Sequence, residues 1–317
     1  MNILVTGGAG FIGSHLSEAL INQGHKVRIL DDLSTGKMEN LVSVGRHEFI
    51  QGNTNDQNLV KDAVNGVEVV FHEAAIPSVV RSFADPALTH RSNVDATLTL
   101  LLAARDAGVR RFIYAGSSSA YGDNPESPKL ESMPSDPLSL YALQKLTSEN
   151  YCRLFTKLYG LETVVLRYFN VFGPRQDPAS RYAAVIPLFI QLMLRGEPLL
   201  IEGDGTQSRD FTYIANVVQA NIKAMSSPGI AGSVFNVGCG ESYTLLQLIE
   251  DLADLIGLPY KVEHVAPRPG DVPHSLASIA KAKKQLGYEP SVSFRSGLQL
   301  TIDWLKSESV SAAASSE

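Results

Sequence analysis

The stretch Val5-Thr6-Gly7-Gly8-Ala9-Gly10-Phe11-Ile12-Gly13 constrains this chain more than any other, because an apolar run followed by closely spaced glycines suits a strand, a tight turn and a helix start. Gly8, Gly10 and Gly13 fit G-x-G-x-x-G, and Gly7, Gly10 and Gly13 fit G-x-x-G-x-x-G. Glycines so placed serve a tight turn, a close approach of backbone to a pyrophosphate, and close packing of helix on strand. The free N–H groups of a helix beginning near Phe11, with Ile12 and Gly13 in its first turn, would face phosphates. A glycine triplet by itself also suits an ordinary loop, so its flanks decide. Residues 2–6 are a short apolar strand, 11–22 have helical apolar spacing, and 26–30 form a second strand ending in Asp31. That is one βαβ unit. Asp31 stands where a carboxylate accepts both hydroxyls of an adenosine ribose, and Asp32 behind it would repel a 2′-phosphate, which points to NAD rather than NADP.

The pattern continues. Ser34, Thr35 and Gly36 lie in turn chemistry suited to folding over the adenosine half of a cofactor. A strand over 47–51 leads to Asn53 and Thr54, within reach of an adenine, and then to a capped helix over 57–64. After a strand over 68–72, Ala74, Ala75 and Ile76 are small enough to let a cofactor lie close over the strand ends. A long helical pattern over 86–107 contains Asn93, which reads alone as a satisfied helix asparagine. The strand over 111–115 runs into Gly116-Ser117-Ser118-Ser119. Residues 123–139 are an exposed loop by composition, followed by a helix over 140–159 and a strand over 163–167.

Such regular alternation predicts an α/β fold: a Rossmann-type doubly wound parallel sheet with ligands at the strand C-terminal ends. Beyond Asn170 the alternation breaks down. With 317 residues the chain can hold one large domain and a smaller one. We expect an NAD-binding domain over 1–170, to which about 210–240 return, a smaller α/β substrate domain mainly over 171–306, and a disordered tail over 307–317. Helices are expected over 185–194, 216–225, 245–256, 278–286 and 296–305.

A formal charge of -6 argues against a surface for nucleic acid. Cys152 and Cys239, the only cysteines, fit neither a disulfide framework nor a zinc site, as expected of a reducing cytoplasm. The first strand starts at residue 2, leaving no room for a signal peptide, and no apolar run reaches a membrane span. The histidines have no paired spacing, so no metal is expected.

Tyr141 and Lys145 form Y-x-x-x-K at the start of a helix, which puts both on one face. A phenol is a poor base at neutral pH; an adjacent ammonium and a positive nicotinamide would favour the phenolate. A packed tyrosine beside a surface lysine is the bland alternative. The glycine fingerprint, the serine triplet ending the fifth strand and the Tyr-Lys pair together resemble the extended short-chain dehydrogenase/reductase family. Within it the chain is similar to NAD-dependent UDP-sugar 4-epimerases of the UDP-N-acetylglucosamine type. The closer likeness is carried by Tyr168-Phe-Asn-Val-Phe-Gly173, Arg175-Gln-Asp-Pro178, Tyr182-Ala-Ala-Val-Ile-Pro187, Gly203-Asp-Gly, Ser208-Arg-Asp-Phe211, Arg268-Pro-Gly-Asp271 and His274-Ser275.

The resemblance implies roles. Tyr141 would be the catalytic base, Lys145 would bind the nicotinamide ribose and tune Tyr141, and Ser117 would help pass the sugar 4-hydroxyl proton. Asn93 and Phe169 join the cofactor shell. Ser78, Ser118 and Ser119 would line the sugar site, with Asn170 and Arg209 on the diphosphate and Arg268 and Asp271 on the uridine. Backbone of Ala184, Val185, Leu200 and Glu202 would lie alongside, and Ser275 would leave room for an N-acetyl group at C2. The family often has Asp where this chain has Asn53, whose carbonyl can still accept from an adenine amine. The implied reaction is reversible C4 epimerisation of a UDP-hexose by a homodimer formed through helices near 90–107 and 140–159. A dehydratase or decarboxylase of the same family would share the first 170 residues, but a dehydratase usually carries an Asp-Glu pair where Ser118-Ser119 stand. A non-catalytic NAD-sensing protein would typically have lost the Tyr-Lys pair.

Overall fold

The computed structural model describes residues 1–177, 184–266 and 273–314, with 309–314 described by backbone alone. The elements are β1 (Asn2–Thr6), α1 (Phe11–Asn22), β2 (Lys26–Asp31), β3 (Glu48–Gln51), α2 (Gln57–Ala63), β4 (Val69–His72), α3 (Val79–Ala84), α4 (Pro86–His90), α5 (Ala96–Asp106), β5 (Arg111–Ser117), α6 (Leu140–Tyr159) and β6 (Glu162–Tyr168). Then follow β7 (Val171–Phe172), α7 (Val185–Arg195), β8 (Leu199–Glu202), β9 (Ser208–Arg209), β10 (Thr212–Tyr213), α8 (Ile214–Ser226), β11 (Ser233–Val237), β12 (Tyr243–Thr244), α9 (Leu245–Ile256), β13 (Val262–Val265), α10 (Ala280–Leu286) and α11 (Phe294–Ala314).

Seven strands form one parallel sheet in the order β11-β6-β5-β4-β1-β2-β3. Both faces are covered, so the strands are nearly all apolar and split by pleat into two cores. Ile3, Val5, Phe71, Ile113 and Phe235 point to the face covered by α1 and α8, and Leu4, Val70, Phe112, Tyr114 and Val165 to the face covered by α2, α5 and α6. Fully burying each such side chain is worth about 1.5–3 kcal/mol. The chain leaves β1 for β2 on one side and for β4 on the other, and ligands of such sheets lie outside the strand ends at that reversal.

Three local features position the site. Helix α6 starts where Ser139 accepts from the Ala142 N–H and stops at Gly160 in the left-handed region, φ 74°. This puts Tyr141 and Lys145 in its first two turns. Between α4 and α5 the chain makes a π turn, Arg91–Asp95, so the expected helix over 86–107 carries one loosened turn around Asn93. Finally, β10 pairs with β7 directly after β6 and runs into α8, which returns the chain to the sheet.

Two expectations need correction. Helix α3 has no counterpart in the sequence reading, because six residues are too few to show a period. The last helix continues to Ala314 instead of giving way to a tail at 307. After Gly297 it meets neither Gly nor Pro, and its end is alanine-rich, which favours continued helix.

Candidate active site

A cavity of about 1140 Å³ opens at the C-terminal ends of the strands and joins nearly every residue singled out above. At one end, Gly7 has φ 68°, and a Cβ there would lie 2.7 Å from the Ala74 backbone. A Cβ on Gly13 would lie 2.2 Å from the Gly7 carbonyl oxygen, so the helix can approach the strand only without one. Gly10 caps α1 with no side chain, leaving the first-turn N–H groups of Phe11, Ile12 and Gly13 at the cavity. Asp31 is buried where β2 ends; its two oxygens accept from the Ala9 N–H (2.9 Å) and the Leu33 N–H (2.8 Å). Burial pushes its carboxyl above the ordinary range, against those two bonds. Asn53 donates to Asp32 (2.8 Å) and accepts from the Asn55 N–H (2.9 Å), so its amide is oriented by the protein. Ser34, Thr35, Gly36 and Thr54 line the same end.

Over the middle, a buried polar chain sets the wall. Thr6 Oγ1 meets His72 Nδ1 at 2.7 Å, and His72 Nε2 meets Thr97 Oγ1 at 3.0 Å; burial drives His72 down to about 3, so it is neutral. Thr97 donates to the Asn93 carbonyl (2.8 Å). The Asn93 side chain accepts from the Ile76 N–H (2.8 Å) and donates to Gln144 (2.9 Å). Asn93, expected to touch the cofactor, therefore does not line the cavity. It is spent holding the segment of Ala74, Ala75 and Ile76, which does.

At the far end of β5, Ser117 Oγ lies 2.8 Å from Ser119 Oγ and accepts from the Ser119 N–H. Tyr141 and Ser117 line the cavity together, and the Tyr141 N–H donates to Ser82 of α3 (3.1 Å). Lys145 is buried; its Nζ donates to the Ala115 carbonyl (2.9 Å) and lies 4.9 Å from the Tyr114 ring centroid. Burial pushes the Tyr141 phenol above its ordinary value, with the Ser117 hydroxyl pulling the other way. The expected lowering by Lys145 does not appear: desolvation dominates, and the ammonium points at the Ala115 carbonyl. Burial lowers Lys145 to about 8, opposed chiefly by attraction to Glu73.

The opposite wall comes from distant segments. Ser78, Ser118, Phe169, Asn170, Ala184, Arg209 and Ser275 line the cavity. Asn170, at φ 31°, donates to the Asp210 carbonyl and to Ser275 Oγ, both at 3.1 Å. Arg209 donates to the Ser208 and Pro273 carbonyls at 3.0 Å. Asp210 is buried and accepts from the N–H groups of Cys239, Gly240 and Ala277, fastening the segment that carries Ser275. Val185, Leu200 and Glu202 do not line the cavity: on β8 the side chains of Leu199 and Ile201 turn to the core, and Leu200 is 53% exposed. Arg268 and Asp271 lie outside the described residues. Glu73, Tyr168, Arg81 and Lys129 line the cavity without having been assigned a role. Glu73 carried a signal, a lone carboxylate among small residues after β4; Arg81 sits on the unforeseen α3. Among the described residues there is no cluster suited to a metal ion, and no helix is long and apolar enough to cross a membrane.

Residues 3–238 match the NAD dependent epimerase/dehydratase family. The chain is 38% identical over 314 residues to a UDP-glucose 4-epimerase of Mycolicibacterium smegmatis, covering 98% of this chain and 100% of that protein. It is 34% identical to a UDP-N-acetyl-alpha-D-glucosaminuronate decarboxylase of Bacillus cytotoxicus, over 96% of this chain and 97% of the other. Among solved structures, a UDP-N-acetylglucosamine 4-epimerase of Methanobrevibacter ruminantium in complex with UDP-N-acetylmuramic acid is 42% identical, with a TM-score of 0.93 over 97% of this chain and 98% of that one.

Proposed function

The chain belongs to the NAD-dependent epimerase/dehydratase family, among its UDP-sugar epimerases, and on that premise we propose that it interconverts UDP-N-acetylglucosamine and UDP-N-acetylgalactosamine, with UDP-glucose and UDP-galactose as further substrates. The observation carrying this reading is that Ser117, Tyr141 and a buried Lys145 share one cavity with the glycine turn. That turn fits NAD, because the spaces a Cβ would fill at Gly7 and Gly13 are those the backbone needs, and Asp31 is seated for a ribose.

The residues divide the work. Asp31 and the first turn of α1 would hold the cofactor, which would supply a hydride acceptor and donor at C4 of the sugar. Tyr141 takes the 4-hydroxyl proton through or beside Ser117 and gives it back after the ketose has turned over. A positioned acid-base group contributes about 10²–10⁴-fold. Asn170 and Arg209 hold the diphosphate, Arg268 and Asp271 the uridine, and Ser275 leaves space at C2. Residues 1–170, with about 210–240, form the NAD-binding domain and 171–306 mainly the UDP-sugar domain. The protein acts in the cytoplasm as a homodimer through α5 and α6, whose Leu102, Leu143 and Leu154 are exposed apolar groups.

The decarboxylase relative makes the competing reading specific. Purified protein given a panel of UDP-sugars without added cofactor, followed by nuclear magnetic resonance, is expected to produce the C4 epimer of UDP-N-acetylglucosamine. Loss of the carboxyl group from a UDP-uronic acid, with no epimer formed from any hexose, would overturn the assignment.

A further inference from the structure

A carboxylate stands in the cavity without a task. Glu73 follows β4 directly, beside Ala74 and Ala75, and lines the cavity. Withdrawing a carboxyl group from water is costly unless it is bonded and paired. Its bond is Tyr168, on β6. The Tyr168 hydroxyl accepts from Asn221 Nδ2 (2.8 Å), so its own proton goes to Glu73 Oε1 at 2.9 Å rather than to Asn221 Oδ1 at 3.2 Å. A hydroxyl so oriented favours the ionised carboxyl.

The matching positive charge is Lys145: His72 pairs with Tyr114, so Glu73 and Ala115 follow side by side at the ends of β4 and β5, and the Ala115 carbonyl is the one that holds Lys145 Nζ. We propose that Glu73 is the counter-charge of Lys145, a positioning carboxylate that keeps the ammonium protonated and seated on the Ala115 carbonyl beside Tyr141. The inference rests on the reading that Lys145 belongs to the catalytic machinery. No hydrogen bond or close ion pair joins the two among the described residues, so the pair acts by attraction at longer range across adjacent strand ends.

The other groups around the pair do not supply that charge. His72, next to Glu73, is buried neutral; Tyr114 offers a ring; Cys152, on the same helix as Lys145, is a thiol pushed far up by burial. Thr6 gives Glu73 only a carbonyl for its N–H, at 3.2 Å. Direction agrees with geometry. Burial raises Glu73 to about 7 against the Tyr168 bond and Lys145, and burial lowers Lys145 to about 8 against Glu73. Both charges coexist where Glu73 has lost its proton and Lys145 has kept its own.

The test is Glu73→Gln in the holoenzyme, which retains an oxygen for Tyr168 and nearly the same volume. Without the opposite charge Lys145 should lose its proton earlier, so the alkaline limb of the kcat profile should move down by roughly one pH unit or more. The ε-carbon resonance of Lys145, assigned by its disappearance in Lys145→Arg, should titrate lower by a similar amount. Tyr168→Phe is the second variant: it removes the donor, so Glu73 should protonate at higher pH and the acidic limb should move up. If Glu73→Gln does not fold, this variant decides. Unmoved limbs together with an unmoved Lys145 resonance would overturn the proposal. A holoenzyme that epimerises no UDP-sugar would instead overturn the proposed function, with the resonance titration still deciding the role of Glu73.

Discussion

The two ends of the cavity are built by different means. The glycine-turn end comes from one short run of chain: Gly7 to Gly13 turn, α1 begins, and Asp31 closes the unit, each held by bonds to near neighbours such as Ala9 and Leu33. The opposite end is assembled from Ser117, Asn170, Arg209 and Ser275, spread over about half the chain and fastened by Asp210 and Asn170 across long separations. The first end is a local motif and the second a tertiary one. A fault in the first should therefore abolish cofactor retention outright, whereas faults in the second should grade the choice of sugar.

The largest effect is expected at Tyr141. Tyr141→Phe should cut kcat by about 10²–10⁴-fold. Bound NAD, extracted and quantified, should stay at the wild-type level, and UDP-sugar affinity by calorimetry should change little. Near-normal turnover would remove Tyr141 from its role as base.

Gly13→Ala strikes the local end alone. Its Cβ would meet the Gly7 carbonyl at 2.2 Å, and because the obstacle is backbone, relief requires the turn to open. Overpacking of this kind costs about 1–3 kcal/mol. The variant should purify with little NAD; full occupancy would mean that the turn yields more easily than its geometry implies.

At the tertiary end, Ser275→Tyr should fill the space beside Asn170. A loss of about 1–3 kcal/mol on N-acetylated substrates corresponds to roughly ten- to a hundred-fold in kcat/KM, with UDP-glucose much less affected. Equal retention of both substrates would move the pocket wall elsewhere.

The smallest effect concerns the element between the ends. Ser139→Ala removes the cap of α6, worth about 1 kcal/mol, and frays the turn that carries Tyr141. Denaturant unfolding should show the loss, with a modest fall in kcat and no change in NAD content. A Tm and midpoint equal to wild type would show that Ser82 alone anchors the helix start.

The same contrast decides how much could be read from the chain unaided. Residues 2–31 were legible because strand, turn, helix and acid follow one another in a known geometry. The sheet was legible because its strands are buried on both faces and therefore nearly all apolar. Asn170, Arg209 and Ser275 were reachable only through resemblance, since nothing local marks an arginine as facing a cavity. Leu200 and Glu202 were likewise named only through resemblance; on β8 they alternate with Leu199 and Ile201, which turn to the core. Glu73 was passed over because its significance lies in Tyr168 and Lys145, both more than seventy residues away in sequence.

The π turn at Arg91–Asp95 has a consequence for how this chain tolerates change in length. A regular helix advances about 100° per residue and a π turn absorbs one extra residue. Asn93 must face Ile76 and Gln144, while Leu100, Leu101 and Ala104 must face the sheet, and the surplus residue reconciles the two directions. Deleting any one residue from 91 to 95 would straighten the helix but rotate one of these faces out of register, so a shorter and more ideal helix would make a worse protein.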